Sequence, residues 1–521
     1  MKTHKLGGMR RPSFCRTSLS LEVLERRVLL SGNVTAAVVG GNLVINGDGH
    51  DNDIVIDQSK LGDGQFRISS GADPTNINGV AGPLVFTGVS GDLRMTMNGG
   101  NDSVELDAVE VYGSVLFDGG SGDNSLFINE HLARLNDESE SSVIARDVIV
   151  KNGSGYDTFE MSDSDVGRNV TIDNGGGGSE TNFFDSFIAR NLTVTNKNGS
   201  DDFLLLDSVV TGSVSIDNGN GQGKAAIPAS VEQGGGEASD TDFVDSFVAG
   251  NVSVRNKDGF DKFKLKDSEV DGDVSIDNGS GGSETKVKDD SSVAGDLFLL
   301  NKAGYDEFKI EASNISGNVT INNGNGDSDT YIGGEEGDVQ IGGDLSVVNK
   351  AGYDGFDMYD SDVAGNVSID HGNGGSSTEI DPTTFWGDLA ITTGSGQDEL
   401  DLSDLMVYGD TTISTGNDCD HIAIYDAWFA GTVLVDAGSG NDEVDLDVGA
   451  KEVTTFQNAL TVLMGAGNDN LYVGDKSDGE IVANSTAVFN GGSGSGDSID
   501  YVGHGNVFAF GPVVTGFESA T

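Results

Sequence analysis

The chain has 521 residues, 85 Asp and Glu against 29 Lys and Arg, a formal charge of −56, 36% hydrophobic residues and 78 glycines. So acidic a surface repels phosphate backbones and anionic lipid, which argues against nucleic acid and against a peripheral membrane role, and no apolar run is long enough to span a bilayer. Cys15 and Cys419 stand far apart, so no disulfide framework holds the fold. Low hydrophobicity with high charge would suit a disordered chain, but here Val, Ile, Leu and Phe recur in register.

In chain order the first element is a basic leader, residues 1–32, with Lys2, Lys5, Arg10, Arg11, Arg16, Arg26 and Arg27 against Glu22 and Glu25. Its run Leu24-Glu25-Arg26-Arg27-Val28-Leu29-Leu30-Ser31 is too broken by charge to be the apolar core of an ordinary signal peptide. The physics alone allows a short amphipathic helix or a disordered terminus. The run resembles the LEPR-XLL segment that opens many large exported proteins of planctomycete bacteria, matching at Leu24, Glu25, Arg27, Leu29, Leu30 and Ser31, with Arg26 where that family usually has proline. The resemblance implies export, hence an extracellular or cell-surface location, with the leader outside the fold.

Residues 33–90 hold strand-like runs such as Leu43-Val44-Ile45, Ile54-Val55-Ile56 and Leu84-Val85-Phe86, read as a β-rich cap. From residue 91 to 500 the pattern Gly-[Asn/Asp/Ser]-[Val/Leu]-x-[Ile/Val/Leu] returns every 22 residues or so, its first apolar residue falling at Leu93, Val115, Val148, Val170, Leu192, Val214, Val252, Val274, Leu297, Val319, Leu345, Val367, Leu389, Thr411, Val433, Leu460 and Thr486. Apolar residues alternate within each unit, as in Val170/Ile172, and period two means strand. Each run is too short to bury a face alone, whereas stacking places Val148 over Val170 over Leu192. The expected fold is therefore all-β: a right-handed-type parallel β-helix, or β-solenoid, of about 22 residues per coil, although the pattern does not fix the hand. At about 4.8 Å per rung the rod is on the order of 80 Å long. Segments 130–145 and 221–240 interrupt the series and read as loops, and 501–521 closes the far end.

Four residues after the anchors stand Asn152, Asn174, Asn196, Asn218, Asn256, Asn278, Asn301, Asn323 and Asn349. Asparagine tolerates a tight corner and stacked amides bond along the axis, so these residues predict a structural ladder. Coils alternate between Asn-Gly-x-Gly-x-Ser-[Glu/Asp]-Thr and Asn-Lys-x-Gly-[aromatic]-Asp-x-Phe, a true unit of about 44 residues.

Nine residues after the anchor runs an Asp series that becomes consecutive at Asp398, Asp420, Asp442 and Asp469, with Asp497 beyond. Their turns, such as Gly438-Ser-Gly-Asn-Asp442-Glu-Val444, resemble the glycine-rich calcium repeats of RTX β-rolls, with Thr393, Ala437 or Met464 where those have the first glycine. The resemblance implies Ca²⁺ held by turn carbonyls and stacked carboxylates, which would otherwise repel at rung spacing. The alternative is that these aspartates only cap Gly-rich turns. Asp102 and Asp123 are weaker copies.

Lys197, Lys257, Lys302 and Lys350 are expected to relieve charge beside Asp201, Asp261, Asp306 and Asp354. Tyr156, Phe260, Tyr305 and Tyr353 form an aromatic column at every second coil, whose rings either shield backbone or stack on sugars of an extended polysaccharide. Catalytic signals are thin: arginines after the leader are few, with Arg168 and Arg190 in adjacent coils, and His4, His50, His131, His371, His421 and His504 show no ligand spacing and read as isolated surface imidazoles. The sequence thus suggests an exported structural or adhesion-type rod, stabilised by Ca²⁺ and without catalytic activity, that meets an extracellular polysaccharide or cell-surface partner. Its rivals are a β-helix polysaccharide lyase or hydrolase, by fold analogy, and an extracellular glycan-binding module. Glu138, Glu140, Glu232 and Glu237 are the loop acids a catalytic reading would test.

Overall fold

The computed structural model describes residues 32–129, 141–220, 237–334, 337–448, 452–475 and 480–521. The leader's motif and Glu138, Glu140 and Glu232 lie outside the described residues, as does the side chain of Glu237. Among the described residues the chain is all-β and forms a parallel β-solenoid of about 18 turns, roughly 22 residues apart. No helix of the described residues is long and apolar enough to cross a membrane.

Each coil gives one strand to each of three parallel sheets. In one coil these are Val170–Gly176, Ser179–Phe184 and Phe187–Ile188. Val148, Val170 and Leu192 are in register in the first sheet. Alternation sends Val170, Ile172, Phe183 and Ile188 inward, where each is buried. Burying such a side chain fully contributes roughly 1.5–3 kcal/mol, and the column becomes continuous only because every coil repeats it.

The two-coil period shows in the packing. In the second sheet Phe159, Thr181, Phe203, Thr241, Phe263, Thr285, Phe308, Thr330 and Phe356 succeed one another in register. Two residues on, Met161, Phe183, Leu205, Phe243 and Leu265 form the neighbouring column. Phe alternates with Thr along the first column, and its rings interleave with those of the second. Centroids from Phe159 through Phe183, Phe203 and Phe243 to Phe263 are 5.4, 6.1, 5.6 and 5.8 Å apart, all tilted.

Three corners turn each coil. The first is the turn that follows the ladder asparagine, Asn-Gly in one coil and Asn-Lys in the next. The second places an aspartate in the left-handed region, as at Asp163 (φ 45°), Asp185 (45°), Asp207 (49°), Asp245 (49°), Asp267 (47°), Asp360 (43°) and Asp404 (48°). The third stacks Asn and Asp side chains: Asp344 Oδ1 accepts from the Asn366 amide (2.7 Å), Asn366 Oδ1 from Asp388 (2.9 Å) and Asp388 Oδ1 from Asp410 (2.8 Å). Glycine precedes this position because a Cβ at Gly365 would lie 2.3 Å from Asp344 Oδ1.

At the N-terminal end Asn33–Val39 pairs antiparallel with Asn42–Asn46, and Asp53–Asp57 with Gln65–Ser70. Asn42–Asn46 and Asp53–Asp57 also pair in parallel with Leu93–Thr96 and Ser103–Asp107, joining this end to the first full coil. At the other end Val507–Phe508, Val513–Thr515 and Ser519–Ala520 extend all three sheets. Ser142–Ile144 and Glu237–Val244, at the edges of the interrupting segments, are rungs of the third and second sheets. The rung read at Thr486 is anchored one residue later, where Ala487 pairs with Leu460.

Candidate functional site

The asparagines form an unbroken interior ladder. Nδ2 of Asn152, Asn174, Asn196, Asn218, Asn256, Asn278, Asn301 and Asn323 donates in turn to Oδ1 of Asn174, Asn196, Asn218, Asn256, Asn278, Asn301, Asn323 and Asn349, over 2.8–3.4 Å. Asn349 Nδ2 then meets His371 Nδ1 at 3.2 Å, and His371 Nε2 meets Thr378 Oγ1 at 2.9 Å. His371 is thus a buried ladder terminus and not a surface imidazole, and burial pulls its pKa down to about 4. His504 is buried as well.

The Asp series also lies inside the coil, because Asp157 stands two residues before the inward Phe159 and shares its face. Asp157, Asp201, Asp261, Asp306, Asp354, Asp398, Asp420, Asp442, Asp469 and Asp497 are all buried. In the middle of the rod the intervening serine satisfies one oxygen of the carboxylate: Ser179, Ser283, Ser328 and Ser376 donate Oγ–H to Oδ1 of Asp201, Asp306, Asp354 and Asp398 over 2.6–2.8 Å, while Oδ2 of Asp157, Asp201, Asp261 and Asp354 is enclosed without a partner on alternate coils. Beyond Asp398 the serines stop. The amides of Asp398, Asp420, Asp442 and Asp469 donate to Oδ1 of Asp420, Asp442, Asp469 and Asp497 at 3.0–3.1 Å. Oδ2 of Asp398, Asp420, Asp442, Asp469 and Asp497 is enclosed and has no hydrogen-bond partner.

Burial raises the carboxyl pKa of Asp420 to about 7 and of Asp442 to about 6, and those of Asp398 and Asp469 upward. Stacked anionic oxygens without partners suit a hard cation such as Ca²⁺, which takes oxygen ligands. Main-chain carbonyls are less free: those of Gly394, Gly416, Gly438 and Gly465 accept the amides of Asn417, Ser439, Ala466 and Ser493 at 2.7–3.1 Å. Each carbonyl keeps a second lone pair for an ion. Of the weaker copies, Asp102 is buried with Oδ1 bound by Asn52, whereas Asp123 Oδ1 caps the Tyr156 amide at the surface (2.7 Å).

The lysine column sits on the opposite face from the Asp series. Asn196 points in, so Lys197 points out, and it pairs with Asp173 of the preceding coil (2.9 Å); Lys257 and Lys302 likewise meet Asp217 and Asp277. The expected neighbourhood with Asp201, Asp261 and Asp306 does not form.

Tyr156, Tyr305 and Tyr353 are exposed at the first corner. Tyr156, Phe260 and Tyr353 rings reach over Gly178, Gly282 and Gly375 of the following coil, where a Cβ would lie 3.2–3.3 Å from the ring. Tyr305 Oη donates to Asp329 Oδ2 (2.5 Å). A different aromatic strip crosses the third sheet. Trp386 stacks on Tyr408 at 4.5 Å and 8°, and Tyr408 meets Trp428 edge-on at 5.2 Å. Trp386 and Tyr408 are exposed.

The second corner carries a device that the sequence reading missed. Ser186, Ser208, Ser246 and Ser268 donate their amides to Oγ of Ser208, Ser246, Ser268 and Ser291 over 3.0–3.3 Å. The recurring Asp-Ser dipeptide was its signal: a left-handed aspartate followed by a serine whose hydroxyl caps the coil before. Along this edge runs a shallow groove of about 340 Å³ lined by Asp207, Asp245, Asp267, Glu269, Asp290 and serines, with no arginine or lysine in its lining. Comparison with known protein families, curated proteins and solved structures finds no match for the chain.

Proposed function

We propose that the chain is an exported or cell-surface structural or adhesion-type rod, non-catalytic, whose C-terminal coils are stabilised by Ca²⁺. The observation that carries the calcium reading is the run of successive coils from Asp398 to Asp497, each burying a carboxylate oxygen without a partner. Asp398, Asp420, Asp442, Asp469 and Asp497 would hold the ion, which would neutralise the stacked charge. Export rests on the leader's resemblance, and the structural role on ladders that run unbroken through coil after coil.

The test is calcium titration of the full chain by calorimetry, with melting followed in chelator and in millimolar Ca²⁺. Saturable binding with a raised melting temperature, both lost in Asp420→Asn/Asp442→Asn, is expected. An unchanged melt without binding heat rejects the calcium reading and leaves packing and ladders as the whole account of stability.

A glycan-binding role is favoured by one observation, the aromatic strip of exposed Trp386 and Tyr408 with half-buried Trp428. Trp386 follows Ala364 at the equivalent position of the preceding coil, so its uncovered face looks over a small residue, a ledge for the C–H face of a sugar. Retention on an insoluble neutral polysaccharide should fall in Trp386→Ala/Tyr408→Ala, and should fall in Tyr305→Ala/Tyr353→Ala if the corner column contributes. Equal retention by all variants rejects this reading.

A further inference from the structure

The outer face of the second sheet brings together a ligand set of different chemistry from the interior aspartates. His421–Tyr425 pairs in parallel with Glu443–Leu446, with His421 opposite Glu443 and Ala423 opposite Asp445. His421 Nε2 lies 3.4 Å from Asp445 Oδ2, and one ligand atom each of His421, Glu443 and Asp445 falls within 4.8 Å of the others. A tetrahedral ion with bonds near 2.0–2.1 Å needs ligand atoms about 3.3 Å apart, so the imidazole and the aspartate already stand at that separation. Glu443 has the reach to close the third edge.

A second observation points the same way. Asp445 Oδ1 is enclosed and has no hydrogen-bond partner, and so is Oδ1 of Asp401, across the methyl group of Ala423. Asp445 thus brings to the set a carboxylate oxygen that neither solvent nor protein satisfies, beside a residue, Ala423, that offers it only a methyl group. On the preceding coil Glu399 stands opposite His421, and on the following one Asn470 stands opposite Glu443. The strands carrying the ligands lie within a continuous sheet, which fixes the spacing of the set before any ion arrives.

We propose that His421, Glu443 and Asp445 bind a divalent ion of the Zn²⁺ and Co²⁺ class, bridging two adjacent coils on the outer face of the rod. An imidazole nitrogen with two carboxylates selects such borderline ions over Ca²⁺ and Mg²⁺, which take oxygen ligands. The outward position leaves the remaining coordination to water.

The experiment titrates Zn²⁺ into the full chain by calorimetry in the presence of millimolar Ca²⁺, which fills any oxygen-only sites, and records the visible spectrum with Co²⁺. One saturable high-affinity Zn²⁺ per chain is expected, with a nitrogen-ligated Co²⁺ spectrum. Affinity should fall at least tenfold in His421→Gln and in Asp445→Asn, while Ca²⁺ binding and melting of the metal-free chain stay as in the parent. Zn²⁺ binding that is equal in parent and His421→Gln, or that Ca²⁺ abolishes, overturns the proposal, because it would then be diffuse attraction to an acidic surface.

Discussion

At the scale of the residue, the rod depends on side chains that do backbone work. An interior asparagine accepts from the coil before and donates to the coil after, so its loss orphans two buried groups at once. Replacing Asn256 by Ala should cost roughly 2–4 kcal/mol, seen as a lower denaturation midpoint with an unchanged slope. The second corner makes a different demand. Asp207 holds φ at 49°, a conformation that β-branched residues rarely adopt. Asp207→Val should destabilise by about 1–3 kcal/mol, whereas Asp207→Gly should be close to neutral in the same melt. The asparagine column was legible because one residue type recurs at one spacing. The aspartate corner was not, since Asp also populates strands and turns throughout so acidic a chain, and only its pairing with the following Ser marks it.

At the scale of the element, two alternations set the 44-residue unit: Phe with Thr in the interior column, and Asp with Ser at the strand start. Both were visible as sequence patterns, but their shared face was not drawn from them. Asp-x-Phe places Asp and Phe on one side of a strand, so an inward Phe makes the Asp inward too. That one step moves the Asp series from the turn surface into the interior and sends the lysines to the opposite side. The stack also predicts how damage spreads. Phe243 lies between Phe203 and Phe263 and is fully buried. Phe243→Ala should cost about 3–5 kcal/mol locally. Because each coil touches only its neighbours, amide exchange should quicken around residues 200–266 and stay unchanged around 400–470. Equal quickening along the whole rod would mean that it opens as one cooperative unit.

At the scale of the whole molecule, the interior carboxylates set the pH dependence. Away from the proposed calcium coils, burial raises Asp157 and Asp261 to about 7 and Asp201, Asp306 and Asp354 to about 6, from 3.8. Each binds a proton more readily folded than unfolded, so its stabilising contribution is complete below about pH 3.8 and is lost as the pH rises through 6 to 7. His371 acts oppositely: with its pKa lowered from 6.5 to about 4, it weakens the fold as the pH falls through that window. One imidazole stands against this set of carboxylates, and the net charge of −56 adds self-repulsion of the same sign as the carboxylates at neutral pH. Salt near 0.5 M screens the surface charge but hardly reaches the interior. In chelator at that salt, the melting temperature should therefore fall between about pH 5 and pH 7.5. Asp157→Asn/Asp261→Asn should flatten the slope, since these two groups titrate highest of the set. A melting temperature that stays level or rises over this interval would place the carboxylates in contact with compensating charge or water, and would remove the interior column as the source of the rod's response to pH.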